Sequence, residues 1–357
     1  MNLKYRRTLA TLGATAAAVI GSTSLLASPA QAATAGLAVV RDGDTVDFRA
    51  LMGKVNKVKV TISGRTVTID DVAAIKAGKG CKRVDSTKVK CTTSSKTKEI
   101  WVALGDKNDY VRNYTGVFML ADGGADNDIL VGGSGNDQLQ GGSGNDQITG
   151  AGGNDDLYGD SGADKIWGGA GNDDIDGGSG NDTITGSTGN DNIWGGTGND
   201  QIWGGAGNDG LDGGTGNDKI WGGTGNDSIH GRTGNDTIVG EAGNDTIQGY
   251  AGNDKIWGGA GNDYVIGNAG NDTLSGGTGD DRLVGEHPKV VGNRVISSGS
   301  ASAVDKLDGG ANTDICLESN NKSSTKACEY LEAVVGSSAS SMVPSAPSAR
   351  VAPQAIS

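Results

Sequence analysis

The sequence predicts an all-β protein: a solenoid of about nine 18-residue coils behind a β-rich N-terminal cap domain. Three observations carry that prediction. A nine-residue unit returns eighteen times without a gap between residues 123 and 284. Each unit holds one aliphatic residue at a fixed place, flanked by outward positions, as in a very short strand. The remaining six residues are mostly Gly, Asn and Asp, which build turns and pack no core.

With the frame set at Gly123, the consensus is G-G-x-G-N-D-x-U-x, where U is aliphatic. Position 1 is glycine through Gly276, and position 4 is glycine in every unit except the first, which has Asp126. Position 8 is Leu, Ile or Val from Leu130 through Leu283. A six-residue turn and a three-residue strand, taken twice, make one coil, and only position 8 is expected to face inward. Position 5, nearly always Asn, tolerates the left-handed backbone that such turns need.

Aspartate occupies position 6 without exception, and a period of nine puts alternate units on the same edge. One edge carries Asp128, Asp146, Asp164, Asp182, Asp200, Asp218, Asp236, Asp254 and Asp272; the other carries Asp137, Asp155, Asp173, Asp191, Asp209, Asp227, Asp245, Asp263 and Asp281. Coils stack at about 4.8 Å, so neighbouring carboxylates in a row repel by roughly 1–3 kcal/mol. A cation must neutralise them. Carboxylate and carbonyl oxygens on flexible turns suit a hard ion, and six to eight oxygen ligands describe Ca2+ better than Mg2+ or a soft metal.

Composition agrees. The chain has 357 residues, 64 of them glycine and only 2 phenylalanine, with a formal charge of −13. Residues 123–284 hold 26 acidic and 5 basic side chains, whereas residues 33–122 hold 16 basic and 10 acidic. An acidic array of this kind attracts cations and excludes a nucleic-acid partner.

The repeat resembles the calcium-binding nonapeptide of the RTX, or hemolysin-type, β-roll family, in the form met in secreted actinobacterial proteins. The resemblance covers residues 123–284 and implies a right-handed parallel β-roll. It also implies Ca2+ held between turns n and n+2 by the eighteen position-6 aspartates, with at most sixteen inter-turn sites. Position 2 departs from glycine at Ala151, Asp160, Ser187, Arg232, Glu241, Tyr250 and Asn268, where the turn is expected to be strained. With one aliphatic residue per unit, the array is too thin to order itself. It is expected to be disordered at low calcium and to fold as the ion binds.

The flanks are read separately. Residues 1–32 look like a secretory signal: Lys4, Arg6 and Arg7, an apolar run to Leu26, then an A-x-A site ending at Ala32. Glycine, serine and threonine within that run argue against an uncleaved anchor, so the mature protein is expected outside the cell with no membrane span. Residues 33–122 show period-two runs at 58–62, 66–69 and 100–104, and LGDKNDYVR (104–112) reads as a degenerate unit with Asp109 at position 6 and Val111 at position 8. Residues 285–304 read as a Ser/Val-rich loop. The register resumes at Asp305, Leu307, Asp314 and Cys316 in a C-terminal cap ending at 335, and 336–357 is a Ser/Ala/Pro tail expected to be disordered. The four cysteines suit local disulfides, Cys81 with Cys91 and Cys316 with Cys328, among three connectivities that an even count permits. Zinc spacing is absent.

No H-E-x-x-H, G-x-S-x-G or Walker A motif occurs, so no enzymatic activity is expected, and His230, at outward position 9, reads as a surface residue. Trp167, Trp203, Trp221 and Trp257 fall at position 9 on one outward face, with Lys165, Lys219 and Lys255 at position 7. Two readings stand: cross-strand stacking, or a contact surface for a cell-wall glycan or surface protein in an adhesive or matrix role. The same Trp and Lys residues interrupt any threonine row suited to ice.

Overall fold

The computed structural model describes residues 35–285, and beyond them the strand segments Pro288–Val291, Arg294–Ser297, Lys306–Ala311, Ile315–Leu317, Ser324–Lys326 and Tyr330–Leu331. Residues 1–34, where a secretory signal is expected, residues 336–357 and Cys328 lie outside the described residues. The chain is all-β, a parallel β-solenoid with 18-residue spacing. No helix among the described residues is long and apolar enough to cross a membrane.

The chain divides into two compact units, Met1–Asp174 and Ile175–Ser357. In the first, the three predicted period-two runs are strands, Lys57–Ser63, Thr66–Asp70 and Glu99–Gly105, with buried side chains alternating with exposed ones in the first and with half-buried ones in the other two. Val58, Val60, Val67, Ile69 and Ile100 are fully buried. Thr66–Asp70 pairs antiparallel with Lys88–Thr92, which places Cys91 opposite Val67. Cys81 lies opposite Cys91 on the next strand and is disulfide-bonded to it.

Solenoid pairing begins before Gly123. Thr45–Arg49 pairs parallel with Glu99–Gly105, and that strand pairs with Phe118–Ala125. On the other sheet, Lys57–Ser63 pairs parallel with Tyr110–Asn113, which pairs with Ile129–Val131. Asp109 and Val111 fall in register with Asp128 and Leu130 as the degenerate unit predicts, and both are buried.

Within the second unit every strand from Thr183–Thr188 through Thr246–Ala251 pairs with the strand 18 residues on, residue for residue. Near its end Leu307 pairs with Leu274 and Cys316 with Leu283, as the resumed register requires of those two, while Asp305 and Asp314 lie outside the described residues. The expected loop at 285–304 contains an antiparallel hairpin, Pro288–Val291 with Arg294–Ser297, whose Val290 and Val295 are partners. The β-branched content of PKVV and RVIS supports strands there.

The three-residue strand is corrected. Strands such as Gln201–Ala206 span six residues, positions 7 to 9 and then 1 to 3 of the next unit. Glycine's low strand propensity hid that extension. The inward set is also larger than position 8: the glycines at position 1 and the aspartates at position 6 are buried as well.

Candidate metal centre

Position 6 sits where the turn enters the strand, two residues before the inward aliphatic, so alternation turns the carboxylate inward with it. All eighteen position-6 aspartates are at most 2% exposed. They line the interior of the turns, not an outer edge. Glycine at position 1 makes room for them: a methyl group on Gly195 would lie 2.6 Å from Oδ2 of Asp200 and 2.5 Å from the carbonyl oxygen of Gly213.

Asp128, Asp146, Asp155 and the run from Asp200 to Asp263 are half satisfied. The backbone N–H of Asp128 donates to Oδ1 of Asp146 at 2.7 Å, and Asp137 donates to Asp155 in the same way. In the second unit the bond recurs from Asp182 to Asp200 through Asp263 to Asp281, at 2.8–2.9 Å. The other oxygen fares differently. Oδ2 is buried without a hydrogen-bond partner in Asp128, Asp146 and Asp155, and again in Asp200, Asp209, Asp218, Asp227, Asp236, Asp245, Asp254 and Asp263. A buried anionic oxygen without a donor is costly.

The titration behaviour follows from that geometry. Burial pushes Asp128 up to about 8 and Asp155, Asp200 and Asp227 up to about 7, with neighbouring carboxylates in the same row adding to the effect. Asp146, Asp218, Asp236, Asp254 and Asp263 are raised to about 6, also chiefly by burial.

Outside the carboxylates the turns run a second ladder in the opposite sense. The backbone N–H of Asn217 donates to Oδ1 of Asn199 at 2.7 Å, and Asn235 repeats this on Asn217. These exposed asparagines hold successive turns in register. Position 4 needs its glycine because the turn carbonyls pack over it; a methyl on Gly216 would collide with the Gly198 carbonyl. The seven non-glycine residues at position 2 all have positive φ, from 68° at Asp160 to 90° at Ser187, so the strain expected there is present.

The donor set fits a hard cation. Orphaned carboxylate oxygens recur at 18-residue intervals, and position-1 carbonyls of the next coil come near them, as that of Gly213 does beside Asp200 and Gly195. No group of three or more Asp, Glu, His or Cys side chains converges among the described residues, so the ion would take one or two carboxylates and complete its shell with carbonyl oxygens and water. That mixture suits Ca2+, which accepts irregular oxygen shells, better than Mg2+.

The remaining candidates divide. Trp203 and Trp221 are register partners whose rings stack, with centroids 4.8 Å apart and planes 3° from parallel. Trp257 lies on the same face, opposite Val239, and is 39% exposed. Trp167, in the first unit, is 36% exposed. His230 is half-buried, not a free surface residue: it meets the Tyr250 ring edge-on at 5.6 Å, and burial lowers its pKa. Beside it, Arg232 donates twice to Oδ2 of Asp212, at 2.6 and 2.8 Å, and lies over the same tyrosine.

Fold and site together define a parallel β-solenoid that stacks buried carboxylates for a hard cation. The family model described as the RTX calcium-binding nonapeptide repeat matches seven overlapping segments that jointly span residues 122–286. Residues 122–286 thus carry RTX calcium-binding nonapeptide repeats. A comparison with curated proteins finds no significant match.

Proposed function

We propose that this chain is a secreted calcium-binding protein whose roll folds as Ca2+ enters between successive turns. The observation that carries the reading is the buried Oδ2 without a donor that recurs in Asp128, Asp146 and Asp155 and from Asp200 to Asp263. Binding free energy then becomes folding free energy. The position-6 aspartates hold the ion with turn carbonyls, and the chain performs no catalysis. Extracellular calcium modules work near 10⁻⁴ to 10⁻³ M, so folding would await export. Isothermal titration of the metal-stripped protein tests this. Several equivalents of Ca2+ bound with growing strand content support it, and one equivalent or none rules it out.

A second reading, an adhesive or matrix role on the same scaffold, is favoured by one observation. Among the nonapeptide units of residues 177–284, positions 7 and 9 of the tryptophan-bearing face contain Lys219, Lys255, Trp203, Trp221 and Trp257 but no Asp or Glu, and an acid enters those positions only at Asp308, opposite Ser275. The fold does not require that segregation in so acidic a chain. A cell-wall glycan or surface protein is the partner proposed. Replacing Trp203 and Trp221 with Thr separates the two roles of the pair. Lost binding to cell-wall material with intact calcium-induced folding supports a contact surface, and lost folding assigns the tryptophans to packing.

A further inference from the structure

Both carboxylate rows end inside the N-terminal cap, and they end on neutral residues. On one row the register runs backward from Asp128 to Asp109 to Asn56, because Tyr110 pairs with both Ile129 and Lys57. Asn56 therefore occupies the position-6 slot of a coil that the nine-residue pattern does not reveal. On the other row Leu120 pairs with Gln138 and Trp101, and Trp101 pairs with Asp47. The slots before Asp137 are thus Met119, Ile100 and Val46, all fully buried.

The first carboxylate of each row also differs from those that follow. Asp109 accepts the Asn56 backbone N–H at 2.6 Å, and the Asn56 side-chain Nδ2 donates to both its oxygens at 3.2 and 3.3 Å. Asp137 accepts the Met119 N–H on Oδ1 and the Gly133 N–H on Oδ2, each at 2.6 Å. The second bond exists because Gly133 lacks the positive φ that position 2 has elsewhere, from Gly124 to Gly277. Both oxygens of each carboxylate have N–H partners, unlike Asp128 and Asp155 one coil later. Asn56 retains one buried oxygen without a partner, its Oδ1. That oxygen is neutral, so its burial costs far less than a charge.

From this we infer that the cap and its two leading carboxylates fold without metal, and that Asn56 is the positioning residue that ends one calcium row and lets the cap template the roll. The inference rests on the calcium reading above. The cap has what a metal-free fold needs: a disulfide and a denser apolar core than one aliphatic residue per unit, with Phe48, Val102 and Leu104 buried beside the residues already named. Nucleation is the costly step for a one-dimensional stack, and a preformed end removes it. Calcium-driven order should then advance from Asp128 and Asp155 toward the C-terminal repeats.

Hydrogen exchange read by mass spectrometry on the full chain tests this, in chelator and across a calcium titration. Amides of residues 36–125 should be protected in chelator, while those beyond about residue 147 exchange freely and gain protection from the N-terminal side first. Cap amides that exchange freely in chelator while calcium still orders the roll would overturn this inference alone. A roll that gains no protection from calcium would overturn the calcium reading and this inference with it. The variant Asn56→Asp supplies the second arm, since it turns the terminator into another acidic rung. Its cap protection in chelator should fall roughly 10- to 100-fold and return on adding Ca2+, which a merely structural defect would not do. Unchanged cap protection in chelator, or a loss that calcium fails to restore, contradicts the assignment.

Discussion

The backbone N–H of Asp200 donates to Oδ1 of Asp218 at 2.8 Å, and Oδ2 of Asp218 has no donor at all. One side chain thus does two jobs: one oxygen stitches coils together and the other waits for a cation. Asp218→Asn keeps an acceptor for the Asp200 N–H but removes the charge. It should shift the midpoint of calcium-induced folding to higher Ca2+ and lower the binding stoichiometry. Asp218→Ala also orphans the N–H and should cost about 1–3 kcal/mol more in the calcium-loaded state. Calcium titrations of the two variants, followed by denaturation, check both.

Proton concentration should act on the metal-free chain in a definite direction. Burial raises Asp128 to about 8, Asp200 and Asp227 to about 7 and Asp218 to about 6, against about 3.9 for an unfolded aspartate. A group raised in the folded state stabilises it fully below the unfolded value, and that contribution fades as pH climbs through the folded value. Without calcium, strand content should therefore be greater near pH 4 than at pH 8, with the loss spread across the range between the unfolded and folded values, about pH 4 to 8. Circular dichroism in chelator measures it; equal or greater strand content at pH 8 contradicts the burial of these carboxylates.

Position 2 offers the converse change. Ser187 holds φ at 90° and Ala151 at 82°, where a non-glycine residue costs roughly 1–2 kcal/mol. Glycine loses more backbone freedom on folding, which returns part of that. Ser187→Gly and Ala151→Gly should each stabilise the calcium-loaded protein by about 1 kcal/mol, read as a higher urea midpoint with the slope unchanged.

Position 1 should tolerate nothing larger than glycine. The methyl of Gly195→Ala would sit against both Oδ2 of Asp200 and the Gly213 carbonyl. That variant should lose calcium-induced strand content locally, seen as hydrogen exchange at neighbouring turns, while the cap from Gly36 to Ala125 stays protected.

Much of this site was legible from residue order alone. Invariant aspartate and aliphatic positions fixed the coil length, the two rows and the cation's chemistry, and Asp109 and Val111 disclosed a degenerate unit by spacing. The inward turn of position 6 was hidden because glycine at positions 1 to 3 does not look like strand, so alternation was counted over three residues where it runs through six. Asn56 and Met119 were hidden for another reason: their slots are defined by pairing across 53 and 18 residues, as Lys57 with Tyr110 and Leu120 with Gln138. Only V-N-K-V-K at 55–59, set beside N-D-Y-V at 108–111, hints at the first of them. The tryptophan row could be read in advance, but not that Trp203 and Trp221 each cover one face of the other.

The most direct measurement is far-ultraviolet circular dichroism of the metal-stripped protein at neutral pH during a calcium titration. The account predicts a weak strand signal from the cap alone, then a cooperative rise as Ca2+ reaches the 10⁻⁴ to 10⁻³ M range, reversed by chelator. A full strand signal in excess chelator, unmoved by added Ca2+, would contradict it.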